Sequence, residues 1–149
     1  MLERVRTIAN FQFGRGAGEA LFPDTCTFRL SSTKRIRYVL DNGERIATVR
    51  AQDGRLTLSV EGAGRVMIAL EPPAYRVVVL DEVAEFISAG KNAMAKHVVD
   101  SDPVIRAGDE VFVTASGDRL LATGSAVLCG DEMLAFNYGV AVKVRKGSD

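Results

Sequence analysis

The stretch Ser88-Ala89-Gly90-Lys91-Asn92-Ala93-Met94-Ala95-Lys96-His97-Val98-Val99-Asp100 holds the residue types best able to do chemistry together. Two lysines and an asparagine stand among small residues, after a glycine able to end a helix. Ammonium groups and backbone amides in such a setting can come close to a phosphate chain. The same spacing fits a solvated charged loop followed by an ordinary strand, and spacing alone favours that plainer reading. The sole histidine, His97, has no carboxylate or thiol near it in sequence to make it a general base. Most acidic residues fall in turns, where Asp and Glu are common, so pairing any two as acid and base would be arbitrary. Cys26 and Cys129 are too few and too far apart for a zinc site. They read as reduced, buried thiols; a disulfide stays open, with a cytoplasmic address against it. No catalytic residue, metal or cofactor is expected.

Several elements must position that stretch. Residues 81–89 read as a helix with Asp81 at its N-terminus and Gly90 as its C-terminal cap. A buried strand is expected over residues 75–80. Others follow over 111–115, over 120–128 after the Ser116-Gly117-Asp118 turn, and from Gly139 through Val144. Short strands punctuated by glycine turns, with one or two helices, indicate a small barrel. Phe136 and Tyr138 fit the core as easily as a base-stacking platform.

Upstream, Pro72-Pro73 makes a stiff connector, and we expect two domains, residues 1–73 and 74–149. In the first, the apolar spacing over residues 4–21 suits a helix bent at Gly14-Arg15-Gly16. That turn has some likeness to a phosphate-binding loop but lacks the preceding strand and the full dinucleotide fingerprint. Alternating runs over residues 35–40 and 45–50 flank Asp41-Asn42-Gly43-Glu44, and Asn-Gly is the strongest short hairpin signal because both residues tolerate positive φ. A further run over 55–60 and another over 65–70 complete an antiparallel meander packed on the N-terminal helix. Lys34-Arg35-Ile36-Arg37 could extend a basic track or simply be the wet face of a strand.

Hydrophobic residues at 47% and charged residues at 26% exclude general disorder. The longest apolar runs are far below the roughly 20 residues a bilayer demands, and no secretory signal is recognisable at the start. The protein reads as cytoplasmic. Net charge is zero, which counts against binding of nucleic acid by bulk electrostatics and puts the weight on local patches. Through Ala74 there are eleven basic and eight acidic residues, and from Tyr75 onward eight basic and eleven acidic, so the second half is the more acidic.

Residues 86–146 resemble a PUA domain, the RNA-binding module of pseudouridine synthases and archaeosine transglycosylases. The likeness is carried by residues 90–96, by Asp102-Pro103-Val104-Ile105-Arg106-Ala107-Gly108-Asp109-Glu110-Val111, and by the ending Gly139-Val140-Ala141-Val142-Lys143-Val144-Arg145. Phe11-Gln12-Phe13-Gly14-Arg15-Gly16-Ala17-Gly18-Glu19-Ala20-Leu21-Phe22-Pro23 resembles the domain preceding PUA in archaeal tRNA-guanine transglycosylases and archaeosine synthase. The resemblance implies an α+β fold: an N-terminal α+β domain with an antiparallel sheet, then a C-terminal PUA β pseudo-barrel. It also implies tRNA or another structured RNA as partner, held by Gly90, Lys91, Asn92, Ala93, Met94, Lys96 and His97, with Gly139, Lys143 and Arg145 as a second wall. Lys91, Lys96, Lys143 and Arg145 would then pair with phosphates, Asn92 would reach a sugar or base edge, and His97 could stack on a base. A transglycosylase barrel of about 250 residues has no room here. The expectation is therefore a non-catalytic, tRNA-binding accessory or split subunit working with a catalytic transglycosylase or another tRNA-modifying subunit, with no membrane or DNA partner. The alternative is a protein-interaction scaffold with little RNA affinity, which predicts an exposed apolar patch on the N-terminal domain.

Overall fold

The computed structural model describes every residue from Met1 to Asp149, in two compact units, Met1–Glu71 and Pro72–Asp149. In the first unit, α1 (Leu2–Phe13) and α2 (Ala17–Leu21) are separated by a turn in which Gly14 and Gly16 take φ of 126° and 94°. The glycines there bend the backbone. Strands β1 (Thr27–Leu30), β2 (Ile36–Asp41), β3 (Glu44–Val49) and β4 (Leu56–Leu58) form an antiparallel sheet in that order. Asn42 and Gly43, at φ of 52° and 80°, close the β2–β3 hairpin, the left-handed pair that matches strand twist. One sheet face buries Val39, Ala47, Leu56 and Leu58. The edge strand β4 is tied to α1 by Gln12, whose Nε2 donates to the Leu56 carbonyl (2.9 Å) while its Oε1 accepts from the Leu56 amide (2.7 Å).

Residues 65–70, expected as a strand, are helical through Ala69: α3 runs Val60–Ala69. Ser59 is its cap, its Oγ accepting from the Gly62 amide at 3.0 Å, which satisfies one of the free donors at a helix start. Gly62, Ala63, Val66 and Met67 are buried while Ile68 is exposed; that is a helical stripe, whereas a strand would have put Val66 and Ile68 on one face. Arg65 of this helix meets the buried Asp41 carboxylate at 2.9 Å. The Thr25 hydroxyl bond and then Arg65 hold that carboxyl below its usual 3.8.

In the second unit, β5 (Arg76–Val79), α4 (Ala84–Ser88), β6 (Ala93–Met94), β7 (Val98–Ser101), β8 (Glu110–Ala115), β9 (Arg119–Ala126), α5 (Gly130–Ala135) and β10 (Val140–Gly147) follow in turn. The sheet order is β6-β10-β9-β8-β5-β7, antiparallel except for β5 beside β8. A 3-10 turn, Ala95–His97, joins the two edge strands β6 and β7, so the sheet is a nearly closed barrel. Val77, Val79, Ile105, Val111, Val113, Leu121 and Val142 fill it, with Ile87 of α4 and Met133 of α5. Each such side chain contributes about 1.5–3 kcal/mol on full burial.

The motif from Asp102 to Glu110 is scaffolding. Asp102 accepts from the Tyr75 amide at 2.8 Å and the Val104 amide at 3.0 Å, and Asp109 accepts from the Arg106 amide at 2.9 Å. Two further expectations are corrected. Asp81 does not cap its helix: its carboxylate binds the amide and hydroxyl of Ser116 at 3.1 and 2.8 Å, because a 3-10 turn (Asp81–Val83) precedes α4 and directs that side chain towards the β8–β9 turn. The thiols are half-exposed rather than buried. Cys129 caps α5 in a box with Glu132, a helix the sequence reading did not foresee. No helix is long and apolar enough to cross a membrane, and no three His, Cys, Asp or Glu side chains gather as metal ligands.

Candidate RNA-binding surface

The surface around residues 90–97 is built where α4 stops. The Gly90 amide donates to the Ile87 carbonyl (2.9 Å) and the Lys91 amide to the Phe86 carbonyl (3.0 Å), with Gly90 at φ 107°. Only glycine adopts that left-handed closure without strain, and space beyond its Cα is open. Lys91 and Asn92 therefore leave the helix on an exposed loop. The loop is pinned to the last strand: Asn92 Oδ1 accepts from the Val144 amide at 2.9 Å. Its oxygen is thus used within the fold, and its NH2 group is what remains to meet a ligand.

Ala93 is fully buried opposite Val142, and Met94, half-buried, pairs with Val140. The Ala95 amide donates to the Gly139 carbonyl at 2.9 Å. This register brings the two segments nominated from sequence side by side. Lys96 is exposed in the 3-10 turn, and His97 is half-buried with its carbonyl accepting from the Leu80 amide (3.0 Å). Lys143 projects from β10 into solvent. Lys91, Lys96 and Lys143 carry no carboxylate within ion-pair distance.

Arg145 is different. Its guanidinium forms a two-pronged pair with Glu110 on β8, through Nη1–Oε1 at 2.8 Å and through Nη2–Oε2. The Glu110 side chain is 4% exposed. A carboxylate taken that far out of water needs its partner, so Arg145 is committed to the barrel before any phosphate arrives.

Phe136 and Tyr138, undecided from sequence, lie outside the core: they are 40% and 75% exposed and stack on each other with centroids 6.3 Å apart and planes 11° from parallel. Tyr138 immediately precedes Gly139, so this aromatic pair borders the seam between β10 and the Ala95–His97 turn. Open aromatic faces at water are unusual outside binding surfaces and offer a stack for bases. The alternation of aromatic with polar residues in Phe136-Asn137-Tyr138 was the only signal in the sequence. Elsewhere in this unit, an open, mostly apolar groove of about 200 Å³ runs past Pro72, Val78 and Thr114. Of its charged groups, Arg76 and Asp118 bind each other at 2.9 and 3.1 Å, and Asp100 accepts from the Ser101 amide at 2.9 Å.

Residues 75–147 match the family model of the PUA domain, and residues 3–73 that of the patch-forming domain C2 of tRNA-guanine transglycosylase. The chain is a PUA-domain protein. It is 48% identical over 147 residues to the tRNA-guanine(15) transglycosylase of Methanothermobacter thermautotrophicus, covering 98% of this chain and 22% of that enzyme. With the Pyrococcus abyssi tRNA-guanine(15) transglycosylase it is 49% identical over 143 residues, covering 96% and 24%. The chain thus spans less than a quarter of the length of these curated relatives and matches their C-terminal region. Among solved structures, a hypothetical protein from Pyrococcus horikoshii shares the fold with a TM-score of 0.76 at 24% identity, covering 99% of this chain and 89% of that one. A PUA domain protein from Thermoplasma acidophilum does so at 0.66 and 19%, covering 97% and 86%.

Proposed function

We propose that this PUA-domain protein binds structured RNA, tRNA foremost, and contributes substrate grip rather than bond-making to tRNA modification of the archaeosine type. The observation that carries this reading is the juxtaposition of unpaired Lys91, Lys96 and Lys143 with the exposed Phe136–Tyr138 stack along the β6–β10 seam. Phosphates would meet the lysines, the Asn92 NH2 group a sugar or base edge, and an unpaired base the aromatic pair. His97, half-buried, would contribute its edge. Gly90 and Gly139 would let the RNA backbone come close, while Ala93 and Met94 hold the loop in register. The catalytic group would belong to a tRNA-guanine transglycosylase acting as partner or as the remainder of a longer chain, in the cytoplasm. The domains we assign are residues 1–73 and 74–149, the second carrying this surface.

The test is equilibrium binding of tRNA across a salt series. Wild type is expected to bind with an affinity that falls steeply with salt. The Lys91→Ala/Lys96→Ala variant should lower the magnitude of the logarithmic slope by about 1.4–1.8, given about 0.7–0.9 per phosphate contact. The Phe136→Ala/Tyr138→Ala variant should lose affinity at every salt concentration without changing that slope. Unchanged binding by both variants would remove the proposed surface.

A second reading, a protein-interaction subunit, draws support from Phe11 on α1 and Ile68 on α3, 93% and 89% exposed. Large apolar side chains so far into water suit a protein contact. Co-purification with a transglycosylase, lost on Phe11→Ser/Ile68→Ser while tRNA binding persists, is what that reading expects.

A further inference from the structure

The groove beside Pro72 and Pro73 takes no part in the RNA-binding surface, and one of its walls is set by strand register. Val78 of β5 stands between Asp100 of β7, an antiparallel neighbour, and Thr114 of β8, a parallel one. Residues directly opposite one another in a sheet share a face, so Asp100, Val78 and Thr114 make one row. The residues beside them turn the other way. Val77 and Val113 fill the barrel, and Ser101 donates its hydroxyl to the Gly130 carbonyl at 2.6 Å. The row therefore faces away from the barrel interior, and each of its members lines the groove.

Thr114 is wholly buried, yet its Oγ1 makes no hydrogen bond. An unpaired buried hydroxyl is costly and uncommon, and the row directs this one towards the groove. Other side-chain donors there are spent within the fold. Arg76 is committed to Asp118 and the Ala74 carbonyl, and the Ser116 hydroxyl to Asp81. Acceptors are in surplus. Asp100 uses Oδ1 on the Ser101 amide at 2.9 Å and keeps Oδ2 in solvent. Asp118, 38% exposed, receives the Nε and Nη2 donors of Arg76, where a carboxylate has about four lone-pair sites.

One guanidinium thus stands against two carboxylates, Asp100 and Asp118, a balance that repels phosphate and attracts cations. Pro72, Pro73, Val78 and Ala115 supply apolar wall between the charged groups. The volume of about 200 Å³ lies below the roughly 300 Å³ at which pockets for drug-sized molecules begin. It suits a narrow aliphatic chain bearing ammonium groups.

We propose that this groove binds an aliphatic polyamine. One ammonium meets Asp100, another meets Asp118, the methylenes lie on Pro72, Pro73 and Val78, and an amine N–H supplies the partner that Thr114 Oγ1 lacks. Charge-assisted hydrogen bonds hold the ends and burial of CH₂ groups holds the middle. The ligand also offsets the acidic excess of the chain from Tyr75 onward. The site goes beyond the RNA-binding reading and does not depend on it.

The experiment is calorimetric titration of the whole chain with spermidine, without RNA and at fixed ionic strength, for wild type, Asp100→Asn and Thr114→Val. Wild type should bind a single spermidine. Asp100→Asn should bind at least about tenfold more weakly and Thr114→Val at least about threefold more weakly. Valine puts a methyl where the unpaired hydroxyl was, so Thr114→Val should keep or raise the thermal midpoint, which separates a lost ligand bond from a damaged fold. Magnesium chloride at the same ionic strength should not displace spermidine. Absence of saturable binding by wild type, undiminished affinity in either variant, or displacement by magnesium would overturn the proposal. So would Asp100-dependent binding of a tetralysine peptide without any of spermidine, which would make the groove a seat for a protein side chain. The tRNA titration decides the RNA-binding reading separately, so either can fail alone.

Discussion

Arg145 shows how far a residue's type can mislead about its partner. On sequence it ends a basic strand and belongs with the phosphate-binding lysines; in the fold it neutralises Glu110. The reason is register. Glu110 lies opposite Ser125, and Ser125 opposite Lys143, so a side chain two residues further along β10 reaches the Glu110 carboxylate across β9. No local pattern contains that three-strand relation. Arg145→Ala should therefore cost about 2–3 kcal/mol of stability in chemical denaturation, somewhat below a fully buried pair because the guanidinium is 37% exposed. Below the unfolding transition it should bind RNA much as wild type does. The exposure of Lys91 and Lys96, by contrast, was legible in the sequence, since glycine followed by a lysine-bearing loop depends only on neighbours in sequence. Phe136 and Tyr138 were not, because whether an aromatic faces inward depends on the helix before it, α5, which went unread.

At the level of elements, most strands could be read because alternation and Asn-Gly chemistry are local. The error over residues 65–70 came from a run short enough to satisfy either period, decided by the Ser59 cap and by packing of Val66 and Met67. The barrel's closing contact was also out of reach of sequence. A Cβ at Gly147, at the end of β10, would stand 2.1 Å from the Ser88 carbonyl and 2.9 Å from the Gly90 amide. Strand and helix end touch backbone to backbone there. Gly147→Ala should destabilise the second unit by about 1–3 kcal/mol and loosen the loop bearing Lys91. Amide exchange at Gly90 and Lys91 that rises more than at β8 would be the sign of it.

For the whole molecule, zero net charge conceals an uneven distribution. The second unit has an acidic excess yet leaves Lys91, Lys96 and Lys143 exposed, while the first has a basic excess. Binding should consequently be more salt-sensitive than the overall charge implies. The strand order carries a consequence in time. β5, made first in the second unit, becomes an interior strand whose parallel neighbour β8 is made later, and β10, made last, supplies Ala141 and Val142 to the core. Contacts so distant in sequence make for slow assembly. A version ending before Val140 should leave the first unit protected against amide exchange and the second unprotected throughout. On a ribosome the loop with Lys91 and Lys96 emerges well before the strand that shapes it. Until β10 clears the exit tunnel, the nascent protein carries those lysines on a loop that lacks the strand to which Asn92 pins it.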